Sequence, residues 1–134
     1  EGLLDYRVLC KYGRCQAINV DANVADNKGR HRADSLGNFY DREWNQIPVA
    51  MNVPPIKDRI IPRPARLDEM IEYAERLAAP FPFSRVDFYY LEDESIFFGE
   101  ITFFNSGGSN VIEPKAFETV LGSWVALPKE VLPR

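Results

Sequence analysis

The chain has little from which a soft-metal centre could be built. It holds one histidine and two cysteines among 134 residues, with no Cys/His cluster at metal-ligand spacing and too few cysteines for a disulfide framework. No apolar run approaches the roughly 18 residues of a membrane span. There is no signal-like start with basic and then apolar residues. An excess of positive charge is also missing. The net charge of −4 argues against a general nucleic-acid or anionic-membrane binder. Internal repeats and low-complexity tracts are absent, and so is an initiator Met, which suggests a sequence cut from a longer protein.

What is present reads as one globular domain, 46% hydrophobic and 27% charged, large enough for a sizeable core. Residues 5–11 and 15–22 read as a hairpin turning at Tyr12-Gly13. Cys10 and Cys15 then face each other, either as a cross-strand disulfide or, the preferred reading, as two partly buried thiols in a reducing compartment. Residues 23–37 are polar and read as a loop, and Phe39–Trp44 as a short strand edge. Five prolines between residues 45 and 66 exclude a helix or central strand there and predict an extended surface crossing. Leu67, Met70, Ile71, Ala74, Leu77 and Ala78 form one apolar stripe on a helix over 67–79, which Pro80 and Pro82 stop. Two strands follow, Arg85–Leu91 and Ile96–Phe103, around the acidic turn Glu92-Asp93-Glu94-Ser95. After a loop over 105–110 comes a final helix, Lys115–Trp124, with Pro114 suited to its first turn. The order predicts an α+β fold with a mainly antiparallel sheet and two helices packed on one face.

The chemistry is concentrated in the second pair of strands. If that hairpin is symmetric about Asp93-Glu94, Leu91 pairs with Ile96, Tyr89 with Phe98, Asp87 with Glu100, and Arg85 with Thr102. Side chains alternate along a strand. Arg85, Asp87, Glu100 and Thr102 would then share one face, while Val86, Phe88, Ile101 and Phe103 take the core face. Carboxylates directly opposed on a sheet repel, so such a pair should share a proton or bind a cation. Hard oxygen ligands beside a hydroxyl suit Mg²⁺ or Mn²⁺. Arg85 would favour a phosphate on the same metal, a combination that points to phosphoryl transfer. The alternative is a solvated strand face on which Arg85 simply pairs with one carboxylate.

Arg85-Val86-Asp87-Phe88 followed by Gly99-Glu100-Ile101-Thr102 resembles the ATP-grasp signature, in which the D-alanine–D-alanine ligases have Arg-x-Asp-Phe and then Glu-x-Asn. A closer resemblance is to the TupA-like ATP-grasp family, associated with teichuronopeptide and other surface-polysaccharide synthesis. It rests on Asp5-Tyr6-Arg7, Phe39-Tyr40-Asp41-Arg42-Glu43-Trp44-Asn45, Leu67-Asp68-Glu69-Met70-Ile71, Phe81-Pro82-Phe83-Ser84-Arg85-Val86-Asp87 and Gly99-Glu100-Ile101-Thr102-Phe103, in that order along the chain. The resemblance implies ATP and Mg²⁺ (or Mn²⁺) as cofactors. Asp87, Glu100 and Thr102 would be the metal ligands, Arg85 the group that stabilises the transferring phosphoryl, and Asp5 a contact to the ribose hydroxyls. It further implies a bacterial-type cytoplasmic ligase that joins a carboxylate to an amine through an acyl phosphate. The substrate would be a small molecule or saccharide, including a membrane-associated glycan. The adenine hinge and lid lysines would lie upstream of Glu1. Residues 1–134 would then be a single domain, the C-terminal portion of an ATP-grasp domain, inactive alone. Asn45 stands where the D-alanine–D-alanine ligases have a phosphate-binding Lys.

Other features allow two readings each. Arg30 and His31 could contact substrate or phosphate, or belong to a solvated loop. Ser106, Gly107 and Gly108 could turn backbone N–H groups toward an acceptor carboxylate, or form an ordinary loop. Trp44 and Trp124 read as packing residues rather than sugar platforms. Two further functions stay open: a metal-dependent glycosyltransferase using a nucleotide sugar, and a non-catalytic ATP-grasp fragment. Sequence alone leaves the oligomeric state undefined.

Overall fold

The computed structural model describes residues 3–22, 33–103 and 105–125. Tyr12 and Gly13 both take positive φ, 46° and 71°, the left-handed pair that a two-residue hairpin turn requires. Strands β1 (Asp5–Lys11) and β2 (Arg14–Ala22) fold back on each other about it. Cys10 and Cys15 are cross-strand partners, and both are free. Burial pushes each thiol up to about 12, which leaves neither as a thiolate nucleophile at neutral pH.

β3 (Leu36–Tyr40) and β4 (Gln46–Ile47) continue the sheet beyond β2, while β6 (Phe83–Tyr90) and β7 (Ile96–Thr102) continue it beyond β1. The order is β4-β3-β2-β1-β6-β7, and every pairing is antiparallel. A separate two-stranded sheet joins β5 (Ala50–Met51) to β8 (Ile112–Glu113). The stretch read as a strand edge at Phe39–Trp44 instead begins at Leu36 and lies inside the sheet, between β2 and β4.

Helix α1 (Leu67–Ala78) buries Leu67, Met70, Ile71, Ala74 and Ala78, while Leu77 lies on the flank of the stripe, 40% exposed. The buried stripe packs on Tyr6, Val8, Ile18, Val20, Val86 and Phe88, the even-numbered face of the sheet. Burying one such aliphatic side chain contributes roughly 1.5–3 kcal/mol, so the stripe fixes which sheet face is covered. The proline-rich crossing is pinned to this core. Ile56 and Ile61 are buried, and Trp44 stacks on Tyr40 at 4.1 Å while its indole N–H donates to the Ile61 carbonyl at 3.1 Å. Asn45 donates to both carboxylate oxygens of Asp41, at 2.7 and 2.9 Å. In this chain it closes a turn.

The final helix is shorter than expected. A 3-10 turn, Lys115–Phe117, precedes α2 (Glu118–Trp124), with Pro114 just ahead of the turn. Its placement also differs from two helices on one face. Phe117 and Trp124 pack with Leu9, Ala17, Phe39 and Val49, on the odd-numbered face opposite α1. The reason is local: Leu9, Ala17 and Phe39 leave an apolar patch at that end of an otherwise polar face, and α2 covers it.

Candidate functional site

The odd-numbered face away from α2 is polar. Strand register puts its residues in rows across four strands. Asp21, Asp5, Tyr89 and Phe97 form one row; Asn19, Arg7 and Asp87 form the next; Ala17, Leu9, Arg85 and Thr102 form a third. Asn19, Asp21, Arg85 and Asp87 are buried. Charged groups rarely sit so deep unless paired, and here they are paired with each other.

Arg85 grips Asp87 side-on. Its Nε donates to Oδ1 at 2.7 Å and its Nη2 to Oδ2 at 2.6 Å. The same Nη2 lies 3.2 Å from Glu100 Oε1 and 3.2 Å from Thr102 Oγ1, and the Thr102 hydroxyl donates to Glu100 Oε1 at 3.1 Å. Three oxygens from three side chains therefore converge on one nitrogen. The sum of the first and second Nη2 contacts bounds the distance between the Asp87 and Glu100 oxygens. Glu100 remains reachable from solvent, with its side chain 64% exposed.

The register that builds this cluster differs from a symmetric hairpin. Arg85–Thr102 and Val86–Ile101 pair as expected, but nearer the turn the partners are Phe88–Phe98, Tyr89–Phe97 and Tyr90–Ile96. Leu91 and Ser95 close a five-residue turn in which Glu94 takes φ 64°, and this odd-length turn moves the register by one. A bulge between Val86 and Phe88 moves it back, because two β7 residues, Gly99 and Glu100, oppose Asp87 alone. Asp87 and Glu100 are thus not a direct ladder pair. The guanidinium bridges them instead. At the bulge, a Cβ on Gly99 would lie 3.1 Å from the Asp87 carbonyl oxygen and 3.3 Å from the Tyr89 ring, so a glycine fits there with least strain. The expected core face is also incomplete at its end: Phe103 is 45% exposed and packs edge-on against Phe81.

Arg7 extends the cluster. It pairs with Asp21 at short range, with Asp5 at 3.4 Å, and with Asp87 through Nε at 3.7 Å. Asn19 Nδ2 donates to Asp21 Oδ1 at 2.7 Å. Gly37 faces Asp21, and a Cβ at position 37 would collide with Asp21 Oδ1. Among the described residues, four carboxylates (Asp5, Asp21, Asp87, Glu100) meet two guanidiniums (Arg7, Arg85) in this network. Burial raises the carboxyl pKa values of Asp5 and Asp21. Arg7 pulls both down, and carboxylate neighbours push both up.

Arg7, Asn19, Asp21 and Gly37 carry no role in the sequence reading. The alternation of Asn19 and Asp21 with Ile18, Val20 and Ala22 was a usable signal for a polar face. The register was the missing piece. A shift between Leu9 and Cys10 aligns Asp5 with Asp21 and Arg7 with Asn19, where a hairpin without it would place them one residue off.

Among the described residues, no group of three or more His, Cys, Asp or Glu is arranged to hold a metal ion. The profile described as TupA-like ATPgrasp matches residues 1–126, nearly the whole chain. The chain belongs to the TupA-like ATP-grasp family. No curated protein and no solved structure matches it significantly. ATP-grasp families are ligase-type and generally use ATP and Mg²⁺. The donor set here fits such a cation in kind, being two carboxylates and a hydroxyl, and their common point already holds a positive group, the Arg85 guanidinium.

No described contact joins the remaining candidates of this TupA-like chain to the cluster. Arg30 and His31 fall outside the described residues, as does the side chain of Ser106. Asn105–Gly108 form a 3-10 turn, with Gly107 and Gly108 at φ 60° and 84° and open space around both. The turn's far end is tied down by Asn52, which donates to Asn110 Oδ1 at 2.9 Å and accepts from the Val111 N–H at 2.8 Å. No described helix is long and apolar enough to cross a membrane.

Proposed function

We propose that this chain supplies the cation- and phosphate-binding face of an ATP-dependent ligase. The ligase activates a carboxylate as an acyl phosphate for attack by an amine or related nucleophile. Its substrate class is a uronic-acid or amino-acid group in cell-surface polysaccharide synthesis, on the cytoplasmic side. Residues 1–134 act as one unit, the C-terminal portion of an ATP-grasp domain. The observation that carries the reading is the convergence of Asp87, Glu100 and Thr102 oxygens on one point.

In this reading Asp87, Glu100 and Thr102 hold Mg²⁺ or Mn²⁺. Once bound, the ion neutralises charge on the ATP phosphates. Arg85 releases Asp87, Glu100 and Thr102 and turns its planar fork to the phosphoryl oxygens, a geometry that suits arginine better than lysine. Asp5 accepts from the ribose hydroxyls at the outer row. The Ser106-Gly107-Gly108 turn, whose glycines leave the backbone uncovered, presents N–H groups to an acceptor carboxylate. Arg30 and His31, outside the described residues, are assigned a contact to the same substrate.

The test is trapping. With full-length protein, MgATP and a panel of uronic and amino acids, hydroxylamine should capture an acyl phosphate as its hydroxamate, with ADP released in equal amount. ADP formed without hydroxamate for any carboxylate would contradict the ligase chemistry. Thermal protection by nucleotide sugars with Mn²⁺, but not by ATP, would favour a glycosyltransferase. Binding without turnover would mark a non-catalytic fragment.

A further inference from the structure

Asp87 is held from two sides. Arg85 grips it from the same strand, and Arg7 approaches it from β1 with Nε 3.7 Å from Oδ2. The two arginines are not equivalent. Arg85 also serves Glu100 and Thr102. Arg7 has its Nε buried, with no hydrogen-bond acceptor among the described residues. Its other end is fixed by Asp21, which is itself fixed by Asn19 Nδ2 at 2.7 Å and occupies space that only a glycine at position 37 leaves free. Burying this many charged groups is costly. Nothing in the packing of the α1 core requires them, because they lie on the opposite face from α1.

We propose that Arg7, clamped by Asp21, is a positioning residue for the Asp87 carboxylate. The proposal rests on the reading of Asp87 as a cation ligand. When Arg85 turns to a phosphate, Asp87 loses both of its hydrogen bonds from that side chain. Among the described residues, Arg7 is the remaining cation beside it, with a buried Nε–H that lacks an acceptor. It keeps the carboxylate oriented while Arg85 is engaged elsewhere. Partners that orient a metal ligand in this way commonly change metal affinity 10–100-fold when removed. The Asp21–Asn19–Gly37 contacts hold Arg7 in register for the task.

Mn²⁺ binding to the full chain with ATP present, read from the free-ion electron paramagnetic resonance signal, tests the assignment. If Arg7 acted only as a nearby positive charge, Arg7→Met would bind Mn²⁺ more tightly, because a repelling charge is gone. A positioning role predicts the opposite sign, with Arg7→Met weaker by about tenfold. Arg7→Lys keeps the charge but loses the Nε–H, and should also bind several-fold more weakly. It provides the test if Arg7→Met does not fold. Arg42→Met, which breaks an arginine–carboxylate pair with Glu75 away from this network, should leave Mn²⁺ binding unchanged. Affinity equal to or above wild type in Arg7→Met and Arg7→Lys, with Asp87→Asn impaired, would overturn the proposal and leave the site reading intact. Unimpaired binding by Asp87→Asn would overturn both.

Discussion

Arg85 and Asp87, two residues apart on one strand, are joined by two hydrogen bonds of 2.7 and 2.6 Å. The nitrogen that makes the shorter bond also meets Glu100 and Thr102. A guanidinium thus stands at the point on which all three oxygen donors converge. Cation binding and this Arg85 conformation compete for the same oxygens.

Replacing Arg85 should therefore separate two properties that normally move together. Arg85→Gln is expected to bind Mn²⁺ alone several-fold more tightly than wild type, since a positive charge leaves the donor set. Its acceleration of phosphoryl transfer should fall by about 10²–10³-fold, the usual cost of losing one group that stabilises transition-state charge. Mn²⁺ titration and single-turnover ADP release check the two parts. Weaker metal binding in Arg85→Gln would contradict the competition.

Gly37 is far from the proposed cation in sequence but linked to it through Asp21. A methyl group there would strike Asp21 Oδ1. Gly37→Ala should lower stability by about 1–3 kcal/mol, the usual range for forcing extra volume into a packed site. Urea unfolding measures this directly. A midpoint unchanged from wild type would mean that Asp21 can leave its place freely.

The pH dependence has a defined sign. Asp5 and Asp21 are both raised from 3.8, chiefly by burial. The folded chain therefore keeps these two protons to higher pH than the unfolded chain does. For a raised carboxyl, stability falls as pH climbs from the ordinary value through the folded one, and the penalty is fully present above it. Asp5→Asn removes one such group, so variant and wild type should diverge in the variant's favour across that window. Side-chain carboxyl NMR should find both residues titrating above 3.8, and Asp41 and Asp93 below it. The hydrogen bonds that Asp41 accepts from Asn45 and Asp93 from Ser95 hold those two groups down.

Much of the fold was legible because local rules and tertiary packing agreed. Tyr12-Gly13 turned where a two-residue hairpin needs left-handed backbone, and the Leu67–Ala78 stripe found the core. The Arg85–Thr102 pairing followed from counting residues, although two one-residue irregularities cancelled to preserve it. The same counting also pairs Asp87 with Glu100, and there it fails, because the bulge at Gly99 removes that ladder pair and a symmetric register cannot show a bulge. Asp21 was hidden for the same reason, by the shift between Leu9 and Cys10. The position of α2 could not be read from its own pattern. It follows from Leu9, Ala17 and Phe39 meeting on the far face, a tertiary fact.

The most direct test of the central claim is the affinity of Mn²⁺·ATP for the full-length protein and for Asp87→Asn. If Asp87 and Glu100 share a cation that carries the ATP phosphates, the substitution should weaken binding at least tenfold in protein that circular dichroism shows to be folded. Equal affinities in the two proteins would contradict the account and leave the buried carboxylates as a purely structural network.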